Sequence, residues 1–86
     1  MFYVYTLLSE QNKDIYIGYS EDLKKRLNEH NNGLVKATKG YKPWKLVYYE
    51  AYVAKPDATR RETQLKKNHQ AKKDLKVQIN NSLEAA

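Results

Sequence analysis

A small set of polar side chains in this sequence is of the types that move protons, bind anions or hold metal ions. Phenol and imidazole groups can transfer protons, a guanidinium group can bind an oxyanion, and a carboxylate can hold a hard divalent cation. The chain has no cysteine, which excludes disulfides, thiolate metal sites and cysteine nucleophiles. The candidates for catalysis are Tyr5, Tyr16, Arg26 and His30, and the candidate metal ligand is Glu62.

The charge of the chain indicates an anionic partner. Sixteen Lys and Arg residues against ten Asp and Glu give a net charge of +6, which attracts nucleic acid without reading its sequence. The segment from Arg60 to Lys76 holds seven Lys and Arg residues and two acids, although such a segment is also typical of a solvated helix face. Tyr41 and Trp44 could stack on a base, and Trp44 is better suited to anchoring the core. The candidate nucleic-acid contacts are Lys36, Lys39, Lys42, Lys45, Arg60, Arg61, Lys66, Lys67, Lys72 and Lys73.

The two tyrosines of the candidate site lie in a predicted β-hairpin. Residues Phe2 to Leu8 and Ile15 to Tyr19 are rich in aromatic and branched side chains and flank a polar segment, a pattern that predicts two antiparallel strands. Side chains alternate along a strand, so we expect Tyr5, Tyr16 and Gly18 on one face. A glycine inside a strand indicates close approach by a backbone or a ligand, or room for a packed helix over tyrosines of the core.

The arginine and the histidine lie on a helix that follows the hairpin. Ser20 is the expected N-cap, and Leu23 and Leu27 mark the buried stripe. At 100° per residue Arg26 borders that stripe and His30 lies within it. These positions suit a phosphate contact, and they are equally typical of an arginine whose stem packs on the core and of a structural histidine.

A carboxylate interrupts the apolar stripe of a later helix. Ala58 and Leu65 lie on the expected buried face, and Glu62 falls between them. Burying a carboxylate is costly unless a cation compensates it. The sequence therefore predicts either a structural ion pair of Glu62 with Arg26 or Arg61, or a ligand for a divalent cation that keeps most of its water.

The remaining segments complete an α+β fold in the order ββα-β-αα. We expect a basic loop over residues 34–45, a strand from Leu46 to Ala54, and helices from Pro56 to Asn68 and from Ala71 to Ile79, with Asn68 in the left-handed conformation. This order predicts a small mixed sheet with helices on its faces. One domain is expected over residues 1–80, with residues 81–86 as a frayed tail. No run of about 18 apolar residues and no export signal is visible, so a soluble, cytoplasmic protein without membrane contact is expected.

Taken in order, these segments resemble the GIY-YIG nuclease family, specifically its small single-domain bacterial members. The resemblance extends from Met1 to about Ile79, and its motifs are YVY at residues 3–5, YIG at residues 16–18, DLKKRLNEH, PWKLVYYE and RRETQLKK. It implies a three-stranded antiparallel sheet flanked by helices. It also implies an endonuclease that cleaves phosphodiester bonds with a divalent metal.

The resemblance assigns a role to each candidate. It makes Tyr5 and Tyr16 the motif tyrosines, Arg26 the helix arginine and Glu62 the ligand of one Mg²⁺ or Mn²⁺ ion. We expect Tyr16 to accept the proton of an attacking water, which needs nearby positive charge because a free phenol ionises only near pH 10. Tyr5 would orient the nucleophile or Tyr16, Arg26 would bind the scissile phosphate, and His30 would bind the phosphate or Tyr16.

Three functions are compatible with the sequence. The first is a metal-dependent endonuclease, with DNA as the expected substrate and repair or recombination suggested by the resemblance alone. The second is a nucleic-acid-binding accessory module with little catalytic power, and in either case a protein partner could supply targeting. The third is an interaction domain in which Glu62 and Arg26 form a structural pair. The sequence does not distinguish DNA from RNA, and it leaves the oligomeric state open.

Overall fold

The structure, a computed structural model, describes residues 1–86 and contains one three-stranded sheet with four helices. The strands are β1 (Phe2–Ser9), β2 (Ile15–Ser20) and β3 (Trp44–Tyr52), and the helices are α1 (Leu23–Asn31), α2 (Lys55–Lys67), α3 (His69–Gln78) and α4 (Asn80–Ala85). A single 3₁₀ turn, Lys39–Tyr41, precedes β3. The strand order is β2-β1-β3 and both pairs are antiparallel. The three-stranded antiparallel sheet is therefore confirmed, and the expectation of a mixed sheet is wrong.

One face of the sheet carries the tyrosines and is covered by α1. Tyr5 lies opposite Gly18, and Leu7 lies opposite Tyr16. These four positions therefore share a face, as the alternation of side chains predicts. The two leucines of α1 pack against the buried Tyr5, Leu7 and Trp44 on this side, which brings the polar flank of α1 next to the phenols.

The opposite face is covered by the three C-terminal helices and holds the larger core. Its buried residues are Val4, Ile17, Ala58, Leu65, Leu75 and Ile79. Because α2 contacts all three strands, its apolar stripe lies on this face. The sheet thus separates α1 from α2, and only side chains at the margin of the sheet can join the two helices in one site.

Two of the expected helix caps are wrong. Asp22 caps α1 by accepting a hydrogen bond from the backbone N–H of Lys25 at 3.0 Å, whereas Ser20 ends β2 and accepts from the Asp22 N–H. Asn68 has extended backbone angles (φ −108°, ψ 109°), and its side chain caps α3 by accepting from the Ala71 N–H. Both caps follow from short polar side chains that accept a free N–H at a helix start.

The expected frayed tail is also wrong, because residues 80–85 form α4. Leu83 packs against the core around the buried Ile79, and its backbone N–H donates to the Ile79 carbonyl at 3.0 Å. Spacing of four residues places both side chains on the same helix face. Leu83 is thus the apolar residue through which α4 contacts the core. No helix of the chain has the length and apolarity needed to cross a membrane.

Candidate active site

Tyr5 lies at the centre of the candidate site, and its ring occupies the space above Gly18. A Cβ atom added to Gly18 would lie 2.3 Å from both Cζ and Oη of Tyr5, which is far inside van der Waals contact. The residue approaching this glycine is therefore Tyr5 itself, where the sequence had suggested a backbone, a ligand or a helix. Because Gly18 lacks a side chain, the phenol of β1 can extend over the neighbouring strand β2.

The Tyr5 hydroxyl joins a buried row of hydrogen bonds. It lies 2.8 Å from Nε2 of His30 and accepts from Nε of Arg26 at 3.4 Å, while Nδ1 of His30 lies 2.7 Å from Oγ1 of Thr38. A guanidinium group can only donate, so the arrangement that satisfies every group has the phenol donating to Nε2 of His30. The proton of the imidazole is then on Nδ1 and points to Thr38, whose hydroxyl donates to the Val35 carbonyl.

His30 is fully buried and its imidazole is uncharged at neutral pH. Burial, with a further contribution from the Arg26 charge, lowers the pKa of His30 to about 4, and Glu29 opposes this only in part. Both ring nitrogens are occupied within the protein. The expected hydrogen bond from His30 to Tyr16 does not form, and the expected contact with a phosphate stays a prediction. His30 instead hydrogen-bonds to Tyr5, whose own pKa is raised chiefly by burial.

Arg26 lies between this buried row and solvent. Its Nε donates to Tyr5, its Nη1 donates to Glu29 at 3.2 Å, and its side chain is 36% exposed. The hydrogen bond with Tyr5 is the main reason that the pKa of Arg26 is raised. Nη2 has no partner in the protein, so a fixed, charged guanidinium presents free N–H groups outward.

Tyr16 packs between the imidazole and a lysine of α2. Its ring lies 5.1 Å from the His30 ring and 6.2 Å from the Trp44 ring, and Nζ of Lys66 lies 5.5 Å from its centroid. Tyr16 is only half-buried, and its hydroxyl makes no hydrogen bond within the protein. Lys66 in turn pairs with Glu62, with Nζ 3.0 Å from Oε2. The margin of β2 therefore brings residues of α1 and α2 together.

Neither of the expected ion pairs of Glu62 forms. Arg26 pairs with Glu29, and Arg61 pairs with Glu50 through Nε at 2.9 Å and Nη2 at 3.1 Å. The Arg61–Glu50 pair lies on the opposite face of the sheet, where the hydroxyls of Tyr48 and Tyr52 also donate to the carboxylate. Burial, reinforced by Glu50, raises the pKa of Tyr52 to about 12. Arg61 is thus held by Glu50 within the fold, and its contact with nucleic acid stays a prediction.

The other expected nucleic-acid contacts differ in how far they are already paired. Lys45 pairs with Glu10 at 3.2 Å and Arg60 with Asp57 at 3.7 Å, both at the surface. Six lysines of the set make no ion pair: Lys36, Lys39, Lys42, Lys67, Lys72 and Lys73. Two of them line a shallow hollow of α3 without any acidic residue, formed by His69, Lys72, Lys73 and Lys76.

A single carboxylate is available for a metal ion. No group of three or more His, Cys, Asp or Glu residues converges anywhere in the chain, which excludes a preformed cage of protein ligands. Glu62 is 23% exposed and offers hard oxygen donors beside Tyr16 and Lys66. One carboxylate fits Mg²⁺ or Mn²⁺ that retains several waters and takes further oxygens from a bound phosphate.

Thr38 is a member of the site that the sequence did not suggest. It is fully buried, its hydroxyl contacts His30, and its carbonyl accepts from Nε1 of Trp44 at 2.9 Å. Trp44 is buried, as expected of a core anchor, which rules out base stacking by its ring. A lone threonine in a basic loop carries no signal for this role, because its partners come from α1 and β3.

Comparison with known proteins adds a family to this geometry. Residues 1–75 match the family described as the GIY-YIG catalytic domain. The chain is 43% identical over 68 residues to a UPF0213 protein of Clostridium perfringens, covering 78% of this chain and 72% of that one. It is 38% identical over 72 residues to a UPF0213 protein of Staphylococcus saprophyticus, covering 83% and 87%. The solution NMR structure of a UPF0213 protein from Bacillus halodurans is 33% identical, with a TM-score of 0.57 over 92% of this chain and 85% of that chain.

Proposed function

Because the chain belongs to the GIY-YIG family, we propose that it is a nuclease that hydrolyses phosphodiester bonds, with a divalent cation at Glu62. DNA is the proposed substrate. The observation that carries the proposal is an unbroken row of contacts from α2 to α1 across the margin of the sheet. Its members in order are Glu62, Lys66, Tyr16, His30, Tyr5 and Arg26.

The shape of the surface supports a polymeric substrate. None of the hollows of the molecule is lined by Tyr16, Arg26 or Glu62, so the row of contacts borders an open face. Small ligands are usually enclosed in a cleft, whereas a nucleic-acid backbone can lie across an open surface that carries positive charge. The net charge of +6 favours such binding.

Arg26 is the proposed contact for the scissile phosphate. Its guanidinium is held by Tyr5 and Glu29 and keeps Nη2 free. A charged, pre-positioned donor can bind a phosphate oxygen through charge-assisted hydrogen bonds that strengthen as negative charge develops. Arg26→Ala should therefore abolish cleavage and leave most of the fold intact, since the side chain lies at the edge of the core.

Tyr16 is the proposed acceptor of the proton from the attacking water, and Tyr5 and His30 position the surrounding groups. Tyr5 is buried and donates to a neutral imidazole, so its phenol stays protonated and orients Arg26. Tyr16 has a hydroxyl without a hydrogen bond in the protein, and the ammonium of Lys66 lies over its ring. Tyr16→Phe should remove activity with little loss of binding, and an unchanged rate would contradict the role as base.

Glu62 is the proposed ligand of the divalent cation. A cation at this carboxylate supplies charge stabilisation to the phosphate and to the leaving 3′-oxygen. Glu62 and Lys66 hold each other on one face of α2, so the carboxylate is already directed to the margin of the sheet where Tyr16 lies.

The test is a cleavage panel with wild-type protein, Glu62→Ala and the matched control Glu84→Ala. Glu84 is an exposed carboxylate of α4 that lies outside the row of contacts. The substrates are labelled single-stranded, duplex, flap and branched DNA and RNA, each with Mg²⁺, Mn²⁺ or chelator. We expect metal-dependent cleavage by wild type and Glu84→Ala, and none by Glu62→Ala.

The other outcomes separate the alternatives. Cleavage by Glu62→Ala at the wild-type rate and at ordinary Mg²⁺ concentration would remove Glu62 as the ligand. Absence of cleavage in every lane, with salt-sensitive binding retained, would favour the accessory module and direct the search to a protein partner. Replacing Lys36, Lys39 and Lys42 with glutamine should reduce the slope of log affinity against log salt by about 3 on duplex DNA if all three contact phosphates. An unchanged slope would assign these charges to solubility.

A further inference from the structure

The pairing of Lys66 with Glu62 has a consequence for how the site binds metal and substrate. We propose that Lys66 is an internal counter-cation, which holds Glu62 while no divalent cation is bound and moves to a phosphate oxygen when Glu62 takes the cation. The proposal rests on the proposed function for the identity of the cation and the phosphate. It assigns to Lys66 a role beyond that of one surface charge among many.

The first support is that the cation paired with the Glu62 carboxylate is Lys66. The Glu62 carboxylate is 23% exposed and faces the margin of the sheet, and a partly buried carboxylate needs a compensating cation. Arg26 and Arg61, the two partners that the sequence suggested, are bound to Glu29 and Glu50. A metal ion at Glu62 would therefore compete with the Lys66 ammonium, which lies 3.0 Å from Oε2.

The second support is the position of the ammonium over Tyr16. Nζ lies 5.5 Å from the centroid of the ring, so it is already next to the proposed base. The Lys66 side chain is 44% exposed and has room to turn. A compact ammonium on a flexible four-carbon stem can exchange partners more readily than a planar guanidinium.

The third support is electrostatic. An ammonium and a divalent cation on one carboxylate repel each other, so a cation at Glu62 weakens the hold of the carboxylate on Lys66. A phosphate oxygen beside Tyr16 is then the anionic partner within reach of Lys66. A metal ion at Glu62 frees the Lys66 ammonium for a phosphate, and a bound phosphate draws the ammonium away from Glu62. Metal and nucleic acid should consequently bind with positive coupling.

The test begins with metal binding in the absence of nucleic acid, so that it does not depend on activity. Mn²⁺ is titrated into ¹⁵N-labelled wild type, Lys66→Met and the control Lys24→Met, and broadening of amide signals around Glu62 is followed. Lys24 is an exposed lysine of α1 without an ion pair and outside the proposed site. Removing the competing ammonium should lower the Mn²⁺ concentration at half-broadening by about threefold. This is the change in affinity expected when metal binding no longer has to break one exposed ion pair. Lys24→Met should leave it unchanged.

The second measurement is the rate of cleavage at saturating Mg²⁺, where competition for Glu62 no longer matters. Lys66→Met should be at least about tenfold slower than wild type, because a phosphate contact is lost. Lys66→Arg should recover part of the rate, and Lys24→Met should match wild type. Signals away from Glu62 that overlay in all the spectra will establish that the variants are folded.

The outcomes distinguish this inference from the proposed function. Equal Mn²⁺ titrations and equal saturating rates for Lys66→Met and Lys24→Met would overturn the inference and leave the nuclease proposal intact. Tighter Mn²⁺ binding by Lys66→Met without cleavage by any variant would support the exchange at Glu62 and refute the nuclease. Failure of Mn²⁺ to broaden signals near Glu62 in any variant would overturn the inference, and cleavage would then decide the function separately.

Discussion

Substituting Gly18 with alanine should disrupt the site through Tyr5 alone. The added Cβ would lie 2.3 Å from Cζ and Oη and 2.8 Å from Cε2 of the Tyr5 ring. Gly18 is paired in regular β-structure, and its backbone is open to any L residue. The three atoms nearest to the added Cβ therefore all belong to the far end of one side chain, which must shift or leave.

The expected loss of stability can be worked from this geometry. Overpacking a core costs about 1–3 kcal/mol, and a buried phenol and imidazole that lose their 2.8 Å hydrogen bond cost about 1–3 kcal/mol more. Alanine is favoured over glycine inside a strand by about 0.5–1 kcal/mol. Gly18→Ala should therefore lower the free energy of unfolding by about 3 kcal/mol, within a range of about 1–5 kcal/mol set by these terms.

The assay is urea denaturation followed by the fluorescence of Trp44, the single, buried tryptophan of the chain. Gly18→Ala is made in three backgrounds: wild type, Tyr5→Phe and Tyr5→Leu. Phenylalanine keeps the clashing ring carbons without the hydroxyl, and leucine removes all three clashing atoms. The cost of Gly18→Ala should be greatest with tyrosine, intermediate with phenylalanine, and absent or reversed with leucine.

A cost that is the same in the tyrosine and leucine backgrounds would refute this reasoning. It would mean that residue 18 is sensitive to substitution for a reason other than the ring of Tyr5. If Gly18→Ala costs the same stability in the tyrosine and phenylalanine backgrounds, the clash with the ring remains the cause, and loss of the hydrogen bond to His30 contributes nothing.

Three further predictions concern the groups around this ring and the opposite face. The folded-state pKa of His30 is about 4 against an ordinary value of 6.5, so the unfolded chain binds the extra proton between these values. The contribution of His30 to the free energy of unfolding is complete above about pH 6.5 and falls on acidification by up to about 1.4 kcal/mol per pH unit. Imidazole ¹⁵N shifts that report a cation already at pH 5.5 would contradict this prediction. Arg61→Met should destabilise the protein by about 2–3 kcal/mol, because it leaves the half-buried Glu50 carboxylate without its cationic partner. Arg60→Met, at an exposed pair, should cost under about 1 kcal/mol. Equal urea midpoints for the two variants would contradict this difference. Thr38→Val leaves Nδ1 of His30 without its partner and should cost about 1–3 kcal/mol, whereas Thr38→Ser should stay near wild type; thermal melts of the two compare them directly.

The composition and periodicity of the sequence were sufficient to predict the main strands and helices and the face of each element on which most candidate site residues lie. Strand alternation placed Tyr5, Tyr16 and Gly18 on one face, and the register confirms it. Helical periodicity placed Arg26 beside the apolar stripe of α1, and the structure has it at the border between Tyr5 and solvent. Both results depend on the backbone geometry of one element, which short segments of sequence determine.

The tertiary structure decided which side chains meet. It directed His30 to Tyr5 and Thr38, gave Glu62 a lysine of its own helix as partner, and assigned Arg61 to Glu50 on the far face. It also packed α4 against the core through Leu83. These contacts depend on how separate elements pack and on the rotamers that this packing allows, so they join residues whose relation is not expressed in any local pattern.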